Sequence, residues 1–334
     1  MGFNWQRPPA EPQWSAGRAR LERWQVVVYA AAVAAGLFLG LYQPALGDAL
    51  GPFVWPLLAA LLFATFLQIS VGGVRRALAH RRFFAAVLAA NFAAVPVVVW
   101  GLSWLLPDDP SIRLAFLLVL LAPCIDWFNT FSHLGKGDAH LSTAATPVVL
   151  VAQMLLLPIF LVVMVGPEIS DGLRAEPFVR ALLGIIVLPL VLALGIRAVA
   201  SSRARLERAV SKTDVLPIPL LALVLFVVAA SEAHGLAGST GELARVALLF
   251  VAYLVAVPFI AAAAARLARL EARASRTLVF SLGSRNSFVM LPLILAWPGL
   301  AEVAVAVVVL QSLIELCGMV IYVAIIPRWF GRGA

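Results

Sequence analysis

Four side chains stand where apolar residues would cost less: Cys124, Asp126, Arg285 and Glu315, each inside a stretch made mostly of Leu, Val, Ile and Ala. Ionisable groups at membrane depth are rare and mark pathways, proton relays or buried pairs. Cys124 offers a soft sulfur that suits a thiophilic metalloid or metal ion. The same residue type also serves as a small buried hydrophobe, and this is the reading that fits Cys317. Glu315, in Gln-Ser-Leu-Ile-Glu-Leu-Cys, can carry a proton or act as a structural partner. Arg285 attracts anions and repels cations, or it pairs with Asp126 or Glu315. Asn91 and Gln153 are further polar groups in the middle of apolar runs, able to hydrogen-bond between helices.

These residues cluster at two interruptions. One apolar run begins at Ile112 and breaks at Ala122 to Asp126, Ala-Pro-Cys-Ile-Asp. The other begins at Thr277 and breaks at Gly283 to Ser287, Gly-Ser-Arg-Asn-Ser. Pro123 removes a helical hydrogen bond, and Gly283 frees the backbone. Non-helical backbone at membrane depth is tolerated where it is buried in protein or lines a cavity. Interrupted segments at corresponding positions of two halves are the sequence pointer to a transporter site. Beyond Pro123 the helix turns polar. Asp126, Asn129 or Thr130, and His133 share one face by spacing, and that face is expected to line the cavity. Arg285, Asn286 and Ser287 form the opposite wall.

The rest of the chain supplies the elements that carry these breaks. Its 334 residues are 63% hydrophobic and 13% charged, where soluble domains carry about 25% charged residues. Mean hydropathy is +0.99. An all-α integral membrane protein is expected, with one transmembrane domain over 24–327, a polar arm over 1–23 and a tail over 328–334. Two cysteines are too few for a disulfide framework or a thiolate zinc site, and no cofactor is expected. The sequence has no His-Glu-x-x-His and no Gly-x-Ser-x-Gly, so an enzyme is not expected.

Ten spans of bilayer length are read at 24–46, 52–71, 84–106, 112–134, 141–166, 178–199, 213–231, 243–266, 275–297 and 302–326. The net charge of +8 is distributed by loop. Arg7, Arg18, Arg20, Arg23, Arg75, Arg76, Arg81, Arg82, Lys136, Arg203, Arg205, Arg208, Lys212, Arg266, Arg269, Arg273, Arg328 and Arg332 fall on one side. Asp48, Asp108, Asp109, Glu168, Asp171, Glu232 and Glu302 fall on the other, with Arg174 as its basic member. The positive-inside rule then places both termini in the cytoplasm, in the plasma (inner) membrane. The basic charge is accounted for by topology, so no nucleic-acid partner is expected. Ten spans divide as five plus five, which forces the second half (178–326) to insert inverted relative to the first (24–166). Spans four and nine, the two broken ones, become equivalents.

The residues resemble the arsenite efflux permeases of the bile acid/sodium symporter superfamily. The likeness rests on Cys124 followed by His133-Leu134-Gly135-Lys136-Gly137-Asp138, on Asn91 with Pro96, on Gln153, and on Leu313-Ile314-Glu315. It implies the family's ten-helix fold with two broken, crossing helices, and export of arsenite or antimonite with protons as the coupling ion. It carries the transport roles to Cys124, as the metalloid contact, and to Glu315. The sequence departs from that family at Pro123, where Arg is usual, at Ser132-His133, where Asn-Asp is usual, at Arg285-Asn286, where Asn-Asn is usual, and at Asp126. A sodium- or proton-coupled organic-anion symporter is the alternative within the superfamily. Those proteins carry a Glu-x-Gly-x-Gln-Asn-like run where this chain has Ser281 to Asn286, with Arg285 at the Gln position. A fixed positive charge in a sodium cage is unfavourable, so Arg285 is expected to stand in for the ion. Oligomeric state is left open by the sequence.

Overall fold

A computed structural model describes residues 16–67, 80–124, 126–165, 187–200, 203–231, 240–287 and 301–331, with a few isolated positions between them. Helices make up nearly all of it. α1 is Ala16–Tyr42. α2 (Pro44–Leu50) continues through a 3-10 turn at Gly51–Phe53 into α3 (Val54–Phe66). α4 (Arg81–Ala89) passes through a π-turn at Ala90–Ala94 into α5 (Val95–Ser103). α6 (Pro110–Leu121) and α7 (Asp126–Leu134) are the halves of the first broken segment, followed by α8 (Ala139–Val165). Then come α9 (Leu188–Ala200), α10 (Ala204–Lys212), α11 (Pro217–Ser231), α12 (Thr240–Ala268), α13 (Ala272–Gly283) and α14 (Ala301–Trp329).

Among the described residues, five stretches are long and apolar enough to cross a bilayer unaided: Pro44–Phe66, Arg81–Ser103, Ala139–Leu157, Gly241–Ala268 and Ala306–Trp329. The first helix begins at Ala16, ahead of the expected 24, so part of the expected arm is helical. The loop expected between spans six and seven contains α10, an amphipathic turn of helix with Arg205 and Arg208 exposed and Val210 buried. The expected loop residues Arg75, Arg76, Glu168, Asp171, Arg174 and Glu232, and the end of span nine after 287, lie largely outside the described residues.

The helices sort into two groups, and the close packing stays within each. α1 packs on α11 and α2, and α3 packs on α9 and α11. The second group holds α4 to α8 and α12 to α14, with α14 against α6 and α12, and α13 against α7, α8 and α12. Exchanging the two halves of the chain, five spans on, carries the α1–α11 contact onto α3–α9. It likewise carries α6–α14 onto α8–α13.

The first group is held by close backbone approach. Gly36 and Gly40, four residues apart on α1, share one face and let α11 in. A Cβ at Gly40 would lie 2.2 Å from the carbonyl oxygen of Ala230, and one at Gly36 would lie 2.4 Å from that of Phe226. Backbone cannot retreat as a side chain can. Gly40→Val is expected to destabilise by about 1–3 kcal/mol, lowering the melting temperature of the detergent-solubilised protein. Gly101→Ala, where a Cβ meets nothing within 4 Å, is the control and should melt with the wild type.

Candidate functional site

The second group is built around the two breaks. Asp109 starts α6 as its N-cap, its carboxylate accepting from the N–H groups of Ser111 (2.7 Å) and Ile112 (3.1 Å), with Pro110 in the first turn. Residues 112–121 of α6 are buried apart from Arg113, which marks an element enclosed by protein rather than by lipid. The helix stops at Ala122, whose backbone is extended, because Pro123 has no N–H to continue it. α13 stops in the same way at Gly283, with Ser284 extended. The two extended pieces cross and pair. Pro123 and Arg285 form an antiparallel bridge, in which Cys124 N–H donates to Ser284 O (3.0 Å) and Asn286 N–H donates to Ala122 O (2.6 Å). Backbone groups freed by the breaks thereby satisfy one another.

The charge at this crossing is arranged in an unexpected way. Arg285 is buried, and its guanidinium meets no carboxylate among the described residues. It donates to Leu120 O (3.2 Å) at the end of α6, to Ser281 O (3.0 Å) and Leu282 O at the end of α13, and to Asn91 Oδ1 (2.9 Å). The ring of Tyr253 lies 5.7 Å from the guanidinium carbon, and the Tyr253 hydroxyl donates to Leu282 O (2.6 Å). Asn91 is fixed in turn by donating to Val87 O and Ser281 Oγ, both at 3.0 Å. It sits in the π-turn ahead of Pro96, the kind of widened turn found at functional positions. Of the partners left open for Arg285, Glu315 meets it through the main chain: Glu315 Oε2 accepts from the backbone N–H of Arg285 (3.0 Å) and from Gln311 Nε2, while the Asp126 side chain lies outside the described residues. Helix carbonyl ends, which carry partial negative charge, and Asn91 take up its two terminal nitrogens, while Nε has no partner among the described residues.

Beside the crossing lies a small cavity of about 30 Å³, at the boundary between the two helix groups. One side is formed by Leu61, Leu62 and Thr65 of α3 and Leu221 of α11. The other is formed by Cys124, Trp127 and Arg285 to Ser287, with Gln311, Ser312 and Glu315 of α14 closing it. Glu315 is buried, and its Oε1 has no hydrogen-bond partner among the described residues, whereas Ser287 donates to Gln311 Oε1 and Gln311 donates on to Glu315.

Of the residues singled out from the sequence, Cys124, Arg285, Asn286, Ser287 and Glu315 meet at this cavity. Asn91 lies behind the crossing as the support of Arg285. Asn129 does not line the cavity: its amide donates to Thr146 Oγ1 of α8 (3.0 Å), and His133 is exposed, so the polar face of α7 turns away and Trp127 faces in. Gln153 is buried in α8, also off the cavity. The backbone of Asp126 opens α7, and its side chain lies outside the described residues. Cys317 is exposed and not disulfide-bonded. Gln311, Ser312, Thr65 and Trp127 were not anticipated. Gln311 precedes Glu315 by one helical turn, a spacing that puts both on one face.

The loop from Leu134 to Asp138, part of the run quoted above for the family resemblance, has a structural task. Asp138 caps α8 by accepting from His140 N–H (2.9 Å) and Leu141 N–H (3.1 Å), and its own N–H donates to Thr277 Oγ1 of α13 (2.7 Å). Lys136 takes a positive φ of 56°. A Cβ at Gly137 would lie 2.7 Å from Thr277 Oγ1, and one at Gly135 would lie 2.1 Å from the Phe280 ring. The loop therefore docks the end of α7 onto α13.

Paired breaks at a cavity between two helix groups define a multi-pass membrane transporter, with no metal-holding cluster of His, Cys, Asp or Glu among the described residues. Residues 55–239, more than half of the chain, match the sodium bile acid symporter family, and the chain belongs to it. The matched stretch contains Cys124; Arg285 and Glu315 lie beyond it. No curated protein matches the chain.

Proposed function

We propose that this transporter exports trivalent arsenic, as arsenite or antimonite, from the cytoplasm, driven by the proton motive force. In this reading it resides in the plasma (inner) membrane with both termini inside. The observation that carries it is the cavity: a half-buried thiol, Cys124, on one wall, and on another a buried carboxylate, Glu315, with one oxygen unpartnered among the described residues. A soft sulfur suits a metalloid, and a single thiol favours release over tight holding. The unpartnered Glu315 oxygen is the position for an exchangeable proton. Asn286 and Ser287 supply small polar contacts, and the small cavity suits a solute of few heavy atoms.

Sodium coupling, which the family's description carries, does not fit the crossing, because the guanidinium of Arg285 already engages its oxygens. The second reading is an organic-anion symporter, favoured by that same description. An anionic solute needs a cation to meet it; Arg285 spends its two terminal nitrogens on four neutral oxygens, and Nε is its one donor nitrogen with no partner among the described residues.

The test is arsenite accumulation in everted vesicles from an export-deficient host, with and without an acidic interior. Accumulation that needs the gradient and collapses with a protonophore is expected. Gradient-independent behaviour would remove the proton, and sodium-dependent uptake of a labelled carboxylate without arsenite transport would favour the second reading.

A further inference from the structure

The crossing sets an electrostatic requirement. α6 and α13 both end there, and each carbonyl end carries roughly half a negative charge. Two such ends facing one another in a low-dielectric interior need a positive partner. In transporters built on broken helices, that partner is commonly a coupling cation held by unwound backbone carbonyls. Here the oxygens are present and the partner is part of the chain. Leu120 O comes from α6, Ser281 O and Leu282 O from α13, and Asn91 Oδ1 from the π-turn before α5. All four are neutral, and all four point at one guanidinium that is almost wholly buried (3% exposed). Tyr253 closes the remaining side through its ring and holds Leu282 O through its hydroxyl.

We propose that Arg285 is a tethered replacement for the coupling cation. Its guanidinium neutralises the two helix ends permanently, so the crossing is assembled throughout the transport cycle without sodium, and the carbonyl cage does not admit a second cation. A bound ion arrives and leaves with the solute, and in doing so ties transport to its gradient. A covalently attached charge does neither, so the energy must enter elsewhere, and Glu315 is the carboxylate that lines the cavity. The inference rests on the chain's working as a transporter of this family, and not on which solute it carries.

The experiment follows melting of the purified full chain in detergent, in sodium chloride, potassium chloride and choline chloride of equal ionic strength, with no solute added. The wild type is expected to melt at one temperature in all three. Arg285→Ala is expected to melt lower in choline and to regain several degrees, saturably, as sodium or millimolar guanidinium is added. Arg285→Lys, which keeps a tethered charge, is expected to stay insensitive to sodium. Stabilisation of the wild type by sodium over choline would overturn the proposal. So would a folded Arg285→Ala protein that responds to no added cation, or an Arg285→Lys protein that becomes sodium-dependent. If Arg285→Ala cannot be recovered, the wild-type and Arg285→Lys comparisons still decide. The readout involves no transport, so its failure would leave the arsenite reading standing, and failure of vesicle transport would leave this one standing.

Discussion

Cys124→Ala should abolish arsenite accumulation in vesicles while leaving the protein folded. Cys124 stands at the first residue past Pro123, where α6 has ended and α7 has not begun, and its backbone is held by Ser284 O across the crossing. That bond uses the main-chain N–H, so replacing the side chain leaves the bridge intact. The thiol is half-buried at the cavity, and its loss removes one soft atom without creating a large void. Loss of the sulfur contact should weaken solute binding by about tenfold or more, each decade being worth about 1.4 kcal/mol. Melting and chromatographic behaviour should match the wild type. Undiminished accumulation by the Ala variant would remove the thiol from the mechanism.

The second large effect is expected at Glu315. Glu315→Gln keeps the size of the side chain and an oxygen to accept from Arg285 N–H and Gln311, so the crossing should persist. What is lost is the capacity to bind and release a proton at Oε1, the oxygen without a partner among the described residues. Gradient-driven accumulation should therefore fall to the level seen without a gradient, while solute exchange across the membrane at equal pH survives. This split separates a coupling role from a binding role: a residue that only touched solute would lose both together. Gradient-driven accumulation at wild-type level in Glu315→Gln vesicles would assign the proton elsewhere.

The breaks themselves were readable because their causes are local. A proline without an N–H and a run of Gly, Ser and Asn cannot continue an apolar helix, and each carried an ionisable residue that lipid would reject. Period and composition likewise announced the long spans. The partner of Arg285 was not readable. Sequence reasoning looks for a carboxylate to match a cation, and here the match is a set of main-chain carbonyls exposed only because two helices stop at one place, with Leu120 and Arg285 165 positions apart. Helical spacing also gave α7 a polar face but could not say which neighbour it would meet. α8 offers Thr146 to Asn129, and the bulky Trp127 takes the cavity side. Gln311 escaped notice because one amide in an apolar helix carries no signal until Glu315 and Ser287 are seen on either side of it.

The bridge between Pro123 and Arg285 also bears on how the chain is made. At ribosomal rates of roughly 5–20 residues per second, the end of α6 emerges on the order of ten to thirty seconds before the guanidinium that will satisfy Leu120 O. During that interval the first half lies in the bilayer with an open helix end and no countercharge. A nascent or truncated product stopping anywhere before residue 285 keeps that defect. Completion of the second break is thus what supplies the donor to Leu120 O in the finished protein.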